Sequence, residues 1–204
     1  MPPAAASAMA SSPGNMRSTD PGKNMTMNRL YTIGSSGKTA EQFFEALKAA
    51  GVKRLLDIRA GGSSQLAGYA RRGPGSLDYL VRVACGPGYH YLPDLAPTRE
   101  MMAALKNDPA FWPIYERAFD ALLRERGAIE KLNRAMFDEP CCLLCTEPTP
   151  EHCHRRVVAE AIKGRWPEIE VEHLGATVPD SMRTGKPVPR IRESSRHGPG
   201  RSPR

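Results

Sequence analysis

The residues able to do chemistry in this chain of 204 residues are crowded into one stretch. Residues 141–156 read Cys-Cys-Leu-Leu-Cys-Thr-Glu-Pro-Thr-Pro-Glu-His-Cys-His-Arg-Arg and hold four of the five cysteines and two of the five histidines. A thiol near the start of a helix feels the partial positive charge of unpaired backbone N–H groups, which favours its thiolate. Cys153 is expected in that position, with Arg155 and Arg156 adding positive charge and His154 supplying a proton-carrying nitrogen. Cys145 and Glu147 stand across the turn, so Cys153, His154, Cys145 and Glu147 are the candidate catalytic residues. Cys141 and Cys142 are expected to be core residues that face opposite ways on a strand. A Cys145–Cys153 disulfide would need the strand end and the helix start to come within bonding distance. No metal ligand set is assigned and no cofactor is expected. Zinc held by Cys145, Cys153 and His154 is the lesser alternative, because Cys-x7-Cys-His lacks the paired spacing of common zinc modules.

The elements that must position these residues read as strand–helix units. Leu30–Gly34 is a short β run, followed by a helix with Thr39 as N-cap and Gln42 completing a capping box. Phe43, Phe44, Leu47 and Ala50 form its apolar stripe, and Gly51 suits the position just past its end. Val52–Arg59 follows as a second strand, which makes a right-handed βαβ crossover and a parallel sheet the expectation. Residues 60–76 read as a long loop, Leu77–Ala84 as a helix up to Gly86, and Tyr89–Leu92 as a third strand. Pro97-Thr98 opens another helix, and Asp108-Pro109 opens a strongly amphipathic one through Leu123. A shorter helix is expected through Ile129, Leu132 and Met136. Cys141–Cys145 is a continuous apolar run, as a central parallel strand covered on both faces requires. Thr149-Pro150 is expected to start the next helix, Gly164 to end it, and Ile169–Leu174 to form the last strand. The fold class is α/β: one domain at 29–175, an open, mostly parallel sheet of about five strands with flanking helices.

In such sheets, ligands sit beyond the carboxyl ends of the strands. Gly34, Ser35 and Ser36 mark one such end, Asp57 and Arg59 a second, and Cys145 with Glu147 a third. Together with Arg155 near a helix start, Gly34, Ser35, Ser36, Asp57 and Arg59 are the candidate ligand-binding residues for a phosphate or carboxylate.

Composition bounds the rest. Residues 1–28 and 176–204 are poor in core-forming side chains and are expected to be disordered tails. The net charge is +7, of which +6 falls in residues 183–204 and +1 in residues 1–28, leaving the stretch between neutral. Contact with nucleic acid is therefore expected only through the basic tail. No apolar run approaches a membrane span, and five clustered cysteines do not suit a secreted disulfide framework, so a cytoplasmic location without membrane contact is expected.

Leu30-Tyr31-Thr32-Ile33-Gly34, Leu56-Asp57-Ile58-Arg59, Ser64-Gln65-Leu66-Ala67-Gly68, Asp94-Leu95-Ala96-Pro97-Thr98 and the run from Cys142 to Arg156 resemble the DUF488 family, in order, from about Leu30 to Leu174. The resemblance implies a compact α/β protein and carries no assigned activity. Many members of the family have a histidine after the Thr-Ile-Gly segment, where this chain has Ser35, so a role for that histidine does not transfer. Cys153-His154-Arg155 matches the family pattern. Three functions fit these residues: an enzyme using a Cys-His pair on a small anionic or nucleotide-like ligand, a non-catalytic binding module, and a thiol redox sensor. The sequence leaves catalysis and oligomeric state open.

Overall fold

The computed structural model describes residues 28–61, 68–73, 76–86 and 88–175. The two extensions expected to be disordered, apart from Asn28 at the end of the first, the basic segment 183–204 and the Ser-Gln-Leu-Ala run at 64–67 lie outside the described residues. Five strands, β1 (Arg29–Gly34), β2 (Arg54–Asp57), β3 (Tyr89–Tyr91), β4 (Cys141–Cys145) and β5 (Glu170–His173), form one sheet in the order β3-β2-β4-β1-β5. Every pairing is parallel. The helices are α1 (Ala40–Ala49), α2 (Leu77–Cys85), α3 (Arg99–Asn107), α4 (Trp112–Glu125) and α5 (His154–Arg165).

β4 is central because its five residues are apolar enough to be buried on both sides. Cys141 and Leu143 pack with Tyr115, Phe119 and Leu123 of α4 and with Val158 and Ile162 of α5. Cys142 and Leu144 pack on the opposite side with Phe43 and Leu47 of α1 and with Leu77 and Val81 of α2. The two adjacent cysteines therefore divide between the two cores as the strand alternation requires. Burial raises the Cys141 thiol to about 12 and lifts Cys142 well above its ordinary value, which keeps both protonated.

Local signals explain several helix ends. Thr39 accepts from the Gln42 N–H at 3.1 Å while Gln42 Oε1 accepts from the Thr39 N–H at 3.0 Å, the reciprocal box that its spacing predicts. Thr98 caps α3 through the Met101 N–H at 3.2 Å. Gly51 follows the end of α1 with φ +64°, a conformation that glycine adopts without penalty.

Four expectations change. The helix expected from Thr149 begins instead at His154: residues 149–152 are turns, and Cys153 is the N-cap. The Arg155 guanidinium donates to the carbonyls of Glu147 and Pro148, which holds this segment in a turn ahead of the helix. At its other end, α5 passes Gly164 and stops at Arg165. The Asp108-Pro109 signal opens a 3-10 turn, Pro109–Phe111, before α4. The segment through Ile129 and Met136 is a series of turns ending in a 3-10 helix, Arg134–Phe137, because Asn133 starts a new cap on the Ala135 N–H at 3.0 Å.

Candidate functional site

The sheet order places β1 and β2 on either side of β4, so their carboxyl ends meet. Gly34 pairs with Cys145, and Asp57 with Leu144. The chain leaving β4 then folds back through residues 146–152 and brings Glu147 against Cys153 at the start of α5.

Cys145, Glu147, Cys153 and His154 converge there: each offers one donor atom, and these four atoms lie within 4.8 Å of one another. The Cys145 thiol donates to Glu147 Oε2 in a very short contact, and Cys153 Sγ lies 3.2 Å from the same oxygen. Cys145 Sγ is 3.4 Å from His154 Nδ1. The other ring nitrogen, Nε2, is 3.0 Å from the Ile58 carbonyl, which can only accept, so Nε2 carries the proton and donates. That bond fixes the ring, with Cys145 Sγ also 3.5 Å from Nε2, and leaves Nδ1 as the nitrogen able to accept a proton or a metal. Phe119 meets the ring edge-on at 5.8 Å and closes the apolar side.

Burial and charge act strongly on each member. Burial pushes the Cys145 thiol well above its ordinary value, and Cys153 and Glu147 push in the same direction. Burial would also raise Cys153, but hydrogen bonding with Cys145 and His154 outweighs it and brings the thiol down to about 6. The N-cap position adds the Arg155 N–H at 3.5 Å and its guanidinium Nη1 at 3.6 Å from Cys153 Sγ. Burial would lower His154, yet the adjacent Cys153 raises it. Burial would raise Glu147, yet the His154 charge and the two thiols hold it below the ordinary carboxylate value.

The residues expected to cradle an anion are largely spent within the fold. Arg59 is 2 % exposed and donates to Asp57 through Nε at 2.9 Å and Nη2 at 2.7 Å, and to the Ala70 carbonyl at 2.7 Å. Asp57 also accepts from Arg72 Nε at 3.2 Å and from the Tyr89 hydroxyl at 2.7 Å. The Ser35 and Ser36 N–H groups donate to the carbonyls of Cys145 and Thr146 at 3.0 and 2.9 Å, which leaves neither for an anion. Gly34 has a different use: a Cβ there would overlap the Glu147 carbonyl oxygen and stand 2.8 Å from Arg155 Nη1. Arg155 is 1 % exposed and braces the turn through Glu147 and Pro148.

Two clefts open beside the cluster. One of about 240 Å³ is lined by Arg59, Arg99, Met102, Thr146, Glu147 and His154. The other, about 510 Å³, is lined by Met102, Ala103, Leu105, Lys106, Glu147 and His152. The α3 residues were not among the sequence candidates. Met102 is an apolar residue of an amphipathic helix, and no spacing distinguishes a groove wall from a core face.

The arrangement defines an α/β protein with buried thiols and imidazole and a half-buried carboxylate at the carboxyl edge of a parallel sheet. The family model described as "Domain of unknown function DUF488" matches residues 39–162, and the chain belongs to that family. No curated protein and no solved structure matches the chain. Among the described residues, no helix is long and apolar enough to cross a membrane.

Proposed function

We propose that this protein is a zinc-dependent enzyme acting on a small anionic ligand, with Cys145, Cys153 and His154 as metal ligands and Glu147 as the fourth. The observation that carries this reading is the approach of four donor atoms to within 4.8 Å of one another. A tetrahedral zinc site has donor–donor edges of roughly 3.3–3.8 Å, given Zn–S and Zn–N bonds of about 2.3 and 2.0 Å. Cys145 Sγ to His154 Nδ1 at 3.4 Å and Cys153 Sγ to Glu147 Oε2 at 3.2 Å are close to those edges. The surroundings suit a metal as well. His154 Nε2 donates to a backbone carbonyl, as a ligating imidazole needs, and the Arg155 N–H groups support Cys153. Two thiolates and a carboxylate carry three negative charges, which a divalent ion and the Arg155 guanidinium together balance.

The free-nucleophile reading of Cys153 is weaker, because the residue is 1 % exposed and lines neither cleft. Glu147 and His154 do face the clefts, and four protein ligands fill a tetrahedral zinc, so a substrate oxygen would reach the ion by displacing the Glu147 carboxylate. A bound zinc would act there as a Lewis acid. A thiol–disulfide function for Cys145 and Cys153 remains the second reading, favoured by their both being free and both touching the Glu147 carboxylate.

Native mass spectrometry with elemental analysis of the untagged chain tests the proposal. One zinc per chain is expected, lost in Cys145→Ala, Cys153→Ala and His154→Ala. A folded chain that takes up no zinc or cobalt overturns it. A mass loss of two protons on mild oxidation would then favour the thiol pair, and ready alkylation at Cys153 the nucleophile.

A further inference from the structure

The two clefts share Met102 and Glu147 and so form one groove between α3 and the turn at residues 146–152. Its α3 wall is one helical face, Arg99, Met102, Ala103 and Lys106, since residues three and four apart stack on the same side. That helix buries none of its residues fully against the body of the protein. Nor does either cation on this face take part in an ion pair among the described residues. The groove is polar where Arg99, Thr146, Glu147 and His154 meet, and apolar where Met102, Ala103 and Leu105 lie. At the apolar part stands His152, exposed but stacked on Trp112 with ring centroids 5.4 Å apart and planes 29° from parallel.

We propose that this groove is the substrate site of the metal centre and takes an organic anion with a flat apolar body. The acid group lies toward Arg99 beside Glu147 and His154, and the body lies against Met102, Ala103 and the His152 ring. The assignment rests on the metal reading above. Three features decide the class. Volumes of about 240 and 510 Å³ suit a small molecule. A bare inorganic anion would leave the apolar wall wet, and a neutral apolar ligand would leave Arg99 unused. The stacked His152 ring offers a flat surface of the kind that aromatic groups pack on.

The test uses the full chain loaded with cobalt, whose thiolate absorption reports the metal centre, and anilinonaphthalene sulfonate as a fluorescent flat anion. The parent chain should bind the dye at one saturable site. Arg99→Glu and Ala103→Glu should each weaken that binding about tenfold or more by replacing attraction or open space with a negative charge, while Lys163→Glu on α5 leaves it unchanged. All three variants should keep the cobalt absorption. Displacement of the dye by adenosine monophosphate would identify a phosphate head, and displacement by naphthoate a carboxylate head; inorganic phosphate should displace it poorly. A cobalt-loaded chain that does not bind the dye, or binds it equally in Arg99→Glu and Ala103→Glu, overturns the substrate assignment and leaves the metal centre standing. Absence of the cobalt absorption in the parent removes the metal centre, and this assignment with it.

Discussion

Replacing Gly34 by Ala should damage the candidate site without touching any of its donor atoms. Gly34 ends β1 opposite Cys145. Its φ is not positive, so the substitution costs contact rather than backbone strain. The added Cβ would overlap the Glu147 carbonyl oxygen and come within 2.8 Å of both the Glu147 carbonyl carbon and Arg155 Nη1. Cβ–oxygen contacts essentially never fall below 3.0 Å, so the carbonyl must retreat by roughly 1 Å or more. That retreat breaks the Arg155–Glu147 hydrogen bond, worth about 1.5–3 kcal/mol for a charged donor. Overpacking adds about 1–3 kcal/mol. The two together, about 2.5–6 kcal/mol, correspond to a Tm lower by roughly 5–20 °C in a protein of this size. Because Glu147 and Cys153 move with the turn, zinc content should fall as well. Circular dichroism melts and elemental analysis of Gly34→Ala measure both effects. Gly37→Ala is the control: its positive φ of +75° costs about 1 kcal/mol, but the nearest atom is Pro148 Cβ at 3.7 Å, and zinc should be retained. Gly34→Ala protein with full zinc and a Tm within ~2 °C of the parent would refute the reasoning.

Asp57→Asn should cost about 3–5 kcal/mol in urea unfolding, because it leaves the buried Arg59 guanidinium without its counter-charge; a loss below about 1 kcal/mol would mean that Arg59 finds other compensation. Burial would raise the Asp57 carboxyl, but Arg59, Arg72 and Tyr89 hold it below its ordinary value. Its contribution is therefore complete at neutral pH and is lost as the pH falls below about 4, first through the unfolded-state value and then through the lower folded-state one. Urea midpoints should drop across that acid range in the parent and drop less in Asp57→Asn; equal slopes would show that other carboxyls govern acid unfolding.

The legible parts of the sequence are those where a side chain acts on its own neighbours. The Thr39 and Thr98 caps, the Gly51 terminator and the apolar run of β4 each work within a few residues and appear where the spacing puts them. The start of α5 was not legible because long-range bonds decide it. Thr149-Pro150 has the local form of a helix start, but Arg155 reaches back to the carbonyls of Glu147 and Pro148 and holds the segment as a turn. The same turn explains the metal reading. Cys145, Glu147, Cys153 and His154 have no paired chelate spacing, and they become a donor set only once residues 146–152 fold back over the end of β4. The position of Arg59 at a strand end could not tell whether its guanidinium faces a ligand or turns inward to Asp57; the Asp57 carboxylate, fully buried, draws it inward.

Arg155 sets the charge that the cluster must carry, whether its thiols hold a metal or stay free. The low value of Cys153, about 6, suits either role, since both require a thiolate. Arg155, however, is a guanidinium 1 % exposed, and a buried charge needs an opposite charge nearby. It forms no ion pair with a carboxylate among the described residues; its Nη1 and Nη2 meet two carbonyls and the Cys153 sulfur, and its buried Nε meets nothing. The negative charge facing it must then come from the cluster. Without a metal, the Cys153 thiolate and the Glu147 carboxylate against a charged His154 leave one net negative unit facing Arg155. Two thiolates and Glu147 around a divalent ion leave the same net charge with a neutral His154, so Arg155 is balanced in either case. Access separates the two readings instead: Cys153 is closed off while Glu147 and His154 meet the groove, which suits a metal ligand set better than it suits an exposed nucleophile.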